Sequence, residues 1–235
     1  MESVTVPSGA RVSAAVRDLA SGAGAAYGDG AFDTASVVKV GILAALLLQT
    51  QDAGRCLTAA EKTYATDMIG RSDNASATAL WHVIGGAAGL DAAHRRLGLT
   101  RTTAGGDGLW GLTRTTAADQ LTLLQHVFGD DSRLEAASRE YVRELMGAVE
   151  SGQRWGVSAA ADGCASALKN GWLPRSTTGL WVVNSIGCVT VDGTGYLVAV
   201  LSNGSASLED GVSLVEAAAR AAVSVFAPGS ARPAG

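Results

Sequence analysis

The spacing of hydrophobic and polar positions changes three times along the chain. From Arg11 to Asp18, Val12, Ala14 and Val16 alternate with their neighbours, which is the two-residue period of a half-buried strand. Ala20-Ser21-Gly22 interrupts that period and a second strand follows over residues 23–27, so the pair predicts a hairpin. The longest apolar run, Val40 to Leu48, opens a helical region. Thr58-Ala59-Ala60-Glu61 is a capping box that starts a helix ending near Gly70. A second helix covers residues 74–84 and stops at Gly85-Gly86. A short helix over 91–97 precedes a Gly-rich loop at 100–112, and two further helices fit 116–127 and 132–149.

Beyond Gly152 the period returns to that of strands, at residues 165–169, 180–191 and 196–201, with Gly, Pro, Ser and Thr turns between them. An amphipathic helix over 209–225 closes the chain, and 228–235 reads as a frayed tail. Strands, helices, strands and a final helix predict an α+β fold. In this reading an all-helical lobe, residues 34–150, is inserted into an α+β lobe built from 1–33 and 151–235, and 1–235 forms a single domain with no internal repeat or long linker.

Composition narrows the partners. The 235 residues carry a net charge of −4 and no basic stripe, which argues against nucleic acid as a partner. No apolar run has the length of a membrane span. Met1-Glu2-Ser3 does not open a signal peptide, so the expectation is either a cytoplasmic protein or one whose export segment has been removed. His82, His94 and His126 are scattered without ligand-like spacing, so no metal or other cofactor is expected. The three lysines, Lys39, Lys62 and Lys169, stand out because arginine takes nearly every other cationic position. Arginine cannot serve as a base, so a lysine kept at 39 fits a need for deprotonation.

Lys39 lies three residues after Ser36 at the start of the apolar run. A helix beginning there places both on one face, with the amine within reach of the hydroxyl. Burial would favour the neutral amine that a serine nucleophile requires, and the helix N-terminus would favour developing negative charge. The structural alternative is that Ser36 only caps a core helix while Lys39 extends out of it. Ser166 and Lys169 repeat the spacing, but in a strand positions three apart face opposite ways and cannot act as a pair.

Two further motifs join the first: Arg71-Ser72-Asp73-Asn74-Ala75 between two helices, and Leu168-Lys169-Asn170-Gly171-Trp172 on the first C-terminal strand. Together they resemble the S-x-x-K, S-D-N and K-T-G motifs of the serine β-lactamase and penicillin-binding-protein superfamily, with an order and spacing most similar to class A β-lactamases. The stretch from Leu112 to Asp119 resembles the helix start that follows the long loop of those enzymes.

The resemblance implies a β-lactamase-like fold with a five-stranded antiparallel sheet, flanking helices and the inserted helical lobe. It also implies a serine hydrolase or acyltransferase working through an acyl-Ser36 intermediate on an amide, lactam or ester, of the lactam-hydrolysing or peptidase type. Ser36 would be the nucleophile, Lys39 its proton acceptor, Ser72 the proton relay to the leaving group and Lys169 an electrostatic stabiliser. Asn74, Asn170, Gly171 and Trp172 would line the substrate site, with the backbone N–H groups of Ser36 and Trp172 forming an oxyanion hole. Asp73 either anchors the loop or caps the following helix.

Three departures bear on substrate. Asn170 replaces the usual hydroxyl residue; the strand 180–191 has no arginine, leaving Arg175 as a candidate for pairing a substrate carboxylate; and the loop 100–112 has no glutamate, only Asp107 between two glycines. A poor β-lactamase is therefore expected, with a non-turnover penicillin-binding protein or a D,D-peptidase as alternatives. The expected partner is a small-molecule or peptide acyl substrate, and the expected state a monomer. A hairpin centred on Ser176 would set Cys164 opposite Cys188, predicting a disulfide and an extracytoplasmic or secreted protein; two separate thiols are the alternative.

Overall fold

In the computed structural model, which describes residues 4–163 and 166–226, five strands form one antiparallel sheet. They are β1 (Arg11–Asp18), β2 (Gly24–Tyr27), β5 (Ser166–Pro174), β6 (Trp181–Val191) and β7 (Thr194–Ser205), in the order β2-β1-β7-β6-β5. A two-stranded ladder, β3 (Phe32–Asp33) with β4 (Arg114–Thr115), was not foreseen because two-residue strands carry no periodic signal.

The sheet alternates as strands must. Val198 and Val200 of β7 pack with Val12, Val16 and the closing helix α7 (Leu208–Ser224), while Leu197 and Ala199 face the helices on the other side. At the centre of that second side lies α1 (Val38–Asp52), which is buried nearly all round. A helix apolar on every face belongs inside a core, and the run from Val40 to Leu48 fits no other place. Around α1 pack residues of α2 (Ala59–Gly70), α3 (Asn74–Val83), α4 (Gly86–Arg96), α5 (Ala117–Phe128) and α6 (Ala136–Gly147).

The local signals explain most boundaries. Thr58 Oγ1 accepts from Glu61 N at 3.2 Å and Glu61 accepts from Thr58 N at 2.7 Å, completing the capping box of α2. Asp73 caps α3 by accepting from Ser76 N at 2.6 Å, which is the capping alternative for that residue. The glycine pair after α3 stops one helix and starts the next. Gly85 and Gly86 have φ of 89° and 64°, and α4 begins at Gly86 rather than near Asp91. A Cβ on Gly89 would lie 1.7 Å from Ile84 O, so the tight join between α3 and α4 needs glycine there.

Strands β5 and β7 are longer than predicted, and the β5–β6 register differs. Arg175 N donates to Leu180 O at 2.8 Å, extending the ladder past Pro174 and moving the turn towards Thr177-Thr178. Cys188 therefore faces Ala167, not Cys164. Cys188 is a free thiol, so the predicted disulfide is not formed there; Cys164 itself lies outside the described residues. Among the described residues no helix is long and apolar enough to cross a membrane.

Candidate active site

Ser36 sits in a short 3-10 turn, Ala35–Val37, ahead of α1 and packed against β5, the outer strand of the sheet. The preceding Ala35 has φ of 47°, a left-handed conformation that a side chain resists. Ser72, in the turn between α2 and α3, has φ of 58°. Strained backbone of this kind persists where surrounding structure imposes it, often at functional sites. The Ser36 turn is held from three directions. Thr34 N donates to Thr113 O at 2.9 Å, Asn184 Nδ2 donates to Asp33 O and Thr34 O at 2.9 Å each, and the backbone of Gly171 lies against it. A Cβ at Gly171 would stand 2.6 Å from Ser36 N, which explains the glycine of the third motif by close approach.

Lys39 occupies the first turn of α1 with no solvent exposure. Its Nζ donates to Ser72 O at 2.7 Å, Ser72 Oγ at 3.1 Å and Asn74 Oδ1 at 2.8 Å. Lys169, equally buried on β5, donates to the same Ser72 Oγ at 3.0 Å and to Asn170 O at 2.9 Å. Ser72 thus joins two amines that come from distant parts of the chain. Burial pushes Lys39 down to about 8 against the opposing pull of Asp73, and pushes Lys169 down to about 7, helped by the like charge of Lys39. Burial thus brings both amines down towards neutral pH. The sequence predicted an amine directed at Ser36; in the structure all three bonds of Lys39 go to Ser72 and Asn74 instead.

Ser36, Asn74 and Trp172 line one cleft of about 310 Å³, together with Leu109, Trp110 and Leu112 of the Gly-rich loop and Leu173. Asn74 Oδ1 is taken by Lys39, leaving its amide nitrogen available to a ligand. Asn170 does not join this group. It is 1% exposed, and its Nδ2 donates to Gln153 O at 2.8 Å and Trp155 O at 3.1 Å. Its cross-strand partner Ser185 accepts from Val157 N at 2.9 Å, so the pair clamps residues 153–157 on the other side of the sheet. Arg175 is engaged as well, 2.9 Å from Asp33, which also pairs with Arg114 at 3.1 Å.

Sequence reasoning missed two residues here. Asn184 fixes the approach to Ser36, and its signal was a polar residue in the middle of an apolar strand, where burial without a partner is costly. Trp110 places its ring 5.0 Å from Lys39 Nζ, and its indole N–H donates to Thr78 Oγ1 at 3.2 Å. Its signal was an apolar cluster, Leu109, Trp110 and Leu112, at the end of a Gly-rich loop. Asp107, by contrast, is exposed at the tip of a turn closed by Leu109 N to Gly106 O at 2.9 Å, with φ of 53°.

A sheet edge carrying Lys169-Asn170-Gly171, a buried lysine after a serine turn and a serine hydroxyl bonded by two lysines make up the site of this β-lactamase-like fold. Residues 58–226 match the family model described as the β-lactamase enzyme family, and the chain belongs to that family. Solved structures share the fold. PBP-A matches at TM-score 0.81 and 21% identity over 96% of this chain and 93% of its own. A mutant of PBP-A, an acyl-enzyme complex with penicillin G, matches at 0.79 and 23%, covering 93% and 91%. A β-lactamase from Chitinophaga pinensis matches at 0.77 and 19%, covering 89% and 92%. No curated protein matches the chain.

Proposed function

We propose that the protein is a serine hydrolase or acyltransferase that forms an acyl-Ser36 intermediate from an amide, lactam or ester and releases it slowly. The observation that carries this reading is the relay in which Ser72 Oγ takes hydrogen bonds from both Lys39 and Lys169 beside the Ser36 turn. Neutral Lys39 accepts the Ser36 proton as Oγ bonds to the acyl carbon. This requires the amine to exchange one of its present bonds for one to Ser36, a tightening common when substrate arrives. The backbone N–H groups of Ser36 and Trp172 hold the resulting oxyanion. As the carbon–nitrogen or carbon–oxygen bond breaks, Ser72 gives its proton to the leaving group and is reprotonated through Lys39 or Lys169. Asn74 orients the substrate amide, and Lys169 attracts an anionic substrate group whose charge in turn raises its pKa.

Slow release follows from the loop. Residues 100–112 contain no glutamate, and Asp107 points from an exposed turn tip, so no carboxylate on that loop is held at the ester. Without a positioned base, hydrolysis of the adduct loses about 100- to 10,000-fold. A chromogenic cephalosporin should therefore give a burst followed by a slow steady state. Rapid turnover with no burst, abolished by Asp107→Asn, would contradict this and identify Asp107 as the base. The penicillin G adduct of a protein with this fold makes that compound a suitable probe.

A further inference from the structure

We infer that Trp110 is a positioning residue that keeps water away from Lys39 and thereby sets the lifetime of the acyl-Ser36 intermediate; this rests on the acyl-enzyme reading above. Hydrolysis of that intermediate needs a water whose oxygen bonds to the ester carbon while its proton passes to a base. The carbon–Oγ bond then breaks and Ser36 recovers its proton, releasing the free acid. With no loop carboxylate at hand, neutral Lys39, which in this reading already takes the Ser36 proton, is the base left to activate that water. A water can use it only within hydrogen-bond reach, about 2.6 to 3.2 Å.

The geometry around Lys39 denies that position. Its amine has no solvent exposure, and its three bonds point to Ser72 and Asn74. Cε and those three bonds fill the tetrahedral nitrogen, so a water must displace one of them from the cleft side, which Trp110 lines with its ring centroid 5.0 Å from Nζ. A water sandwiched there would need a hydrogen bond to nitrogen plus van der Waals clearance to the ring, roughly 6 Å in all. The ring therefore excludes it. The ring is also fixed in place: its N–H bonds Thr78 Oγ1, Thr34 Oγ1 donates to Gly111 O at 3.4 Å, Thr103 and Arg114 exchange two backbone bonds at 2.9 Å, and Gly105 N donates to Thr113 Oγ1 at 3.1 Å. The loop carries a shield in the place where a hydrolytic loop needs a base.

The test is the decay of a penicillin G adduct followed by intact-protein mass spectrometry after excess drug is removed. Trp110→Ala should shorten the adduct lifetime at least tenfold, and Trp110→Phe, which keeps a ring over the amine, should recover most of it. Thr78→Val, which only frees the indole, should shorten it several-fold and serves if Trp110→Ala does not fold. Equal decay in wild type, Trp110→Ala and Thr78→Val would overturn the inference while leaving the acyl-enzyme reading intact. Equally fast decay in the Phe and Ala variants would overturn it too, because loss of packing rather than of the shield would then be responsible. Absence of any adduct on wild type would instead overturn the acyl-enzyme reading, and the inference with it.

Discussion

Gly171→Ala adds one methyl group at the point where the sheet edge meets the Ser36 turn. Its Cβ would lie 2.6 Å from Ser36 N, 2.7 Å from Val37 N and 2.8 Å from Thr34 O, whereas ordinary contact begins near 3.4 Å. The turn or the strand must retreat by roughly 0.8 Å. All three atoms are backbone, and Thr34 is tied to Thr113 and Asn184, so neither side yields freely. Overpacking of this kind costs about 1–3 kcal/mol, which for a domain this size lowers Tm by roughly 3–10 °C. A nucleophile displaced by about 1 Å loses on the order of 100-fold in rate. The acylation rate constant with a fluorescent penicillin and the Tm should fall together. Gly152→Ala, with no atom within 4 Å of its Cβ and an exposed backbone, is the control and should change neither. Gly171→Ala acylating within threefold of wild type at an unchanged Tm would refute the close-approach argument.

Lys39→Arg should retain a soluble fold and lose acylation, because a guanidinium does not release its proton, while Ser72→Ala should slow acylation less severely; wild-type acylation by Lys39→Arg would remove Lys39 as the base. Since the two lysines share Ser72 they titrate as a pair, and the acylation rate should rise with pH through the range set by about 7 and about 8; a rate independent of pH from 6 to 9 contradicts the lysine mechanism. The same depressed values mean the unfolded chain binds more protons than the folded one above pH 7, so stability should rise from pH 7 to 9; beyond that, Cys188, raised by burial to about 11, acts in the opposite sense. Asn184→Ala leaves Asp33 O, Thr34 O and Ser202 N without their buried partner and should cost about 3 kcal/mol in denaturant unfolding; a loss below 1 kcal/mol would show that the Ser36 turn is held by other contacts.

What the sequence made legible was what local rules control. The strand Arg11–Asp18 follows from its alternation, the buried α1 from an apolar run too uniform to face water, and the starts of α2 and α3 from their capping residues. Ser36, Lys39, Ser72, Asn74 and Lys169 could be picked out because their motifs are short and ordered. Register was not legible, because the β5–β6 ladder runs on through Arg175 N to Leu180 O and sets Ala167 opposite Cys188. Nor was the direction of Asn170 or of the Lys39 amine. Which side of the sheet an edge residue serves, and which of two hydroxyls an amine chooses, depend on chain segments 17 and 33 residues away in these two cases. Trp110 was hidden for the same reason, since nothing within the loop says that its ring meets α1.

Intact-protein mass spectrometry after incubation with penicillin G tests the central claim most directly. Wild type should gain the mass of one intact penicillin G, mapped by peptide digestion to Ser36 and persisting after the free drug is removed. Ser36→Ala should gain nothing. An unmodified wild type, or an adduct of the same mass on Ser36→Ala, would contradict the account.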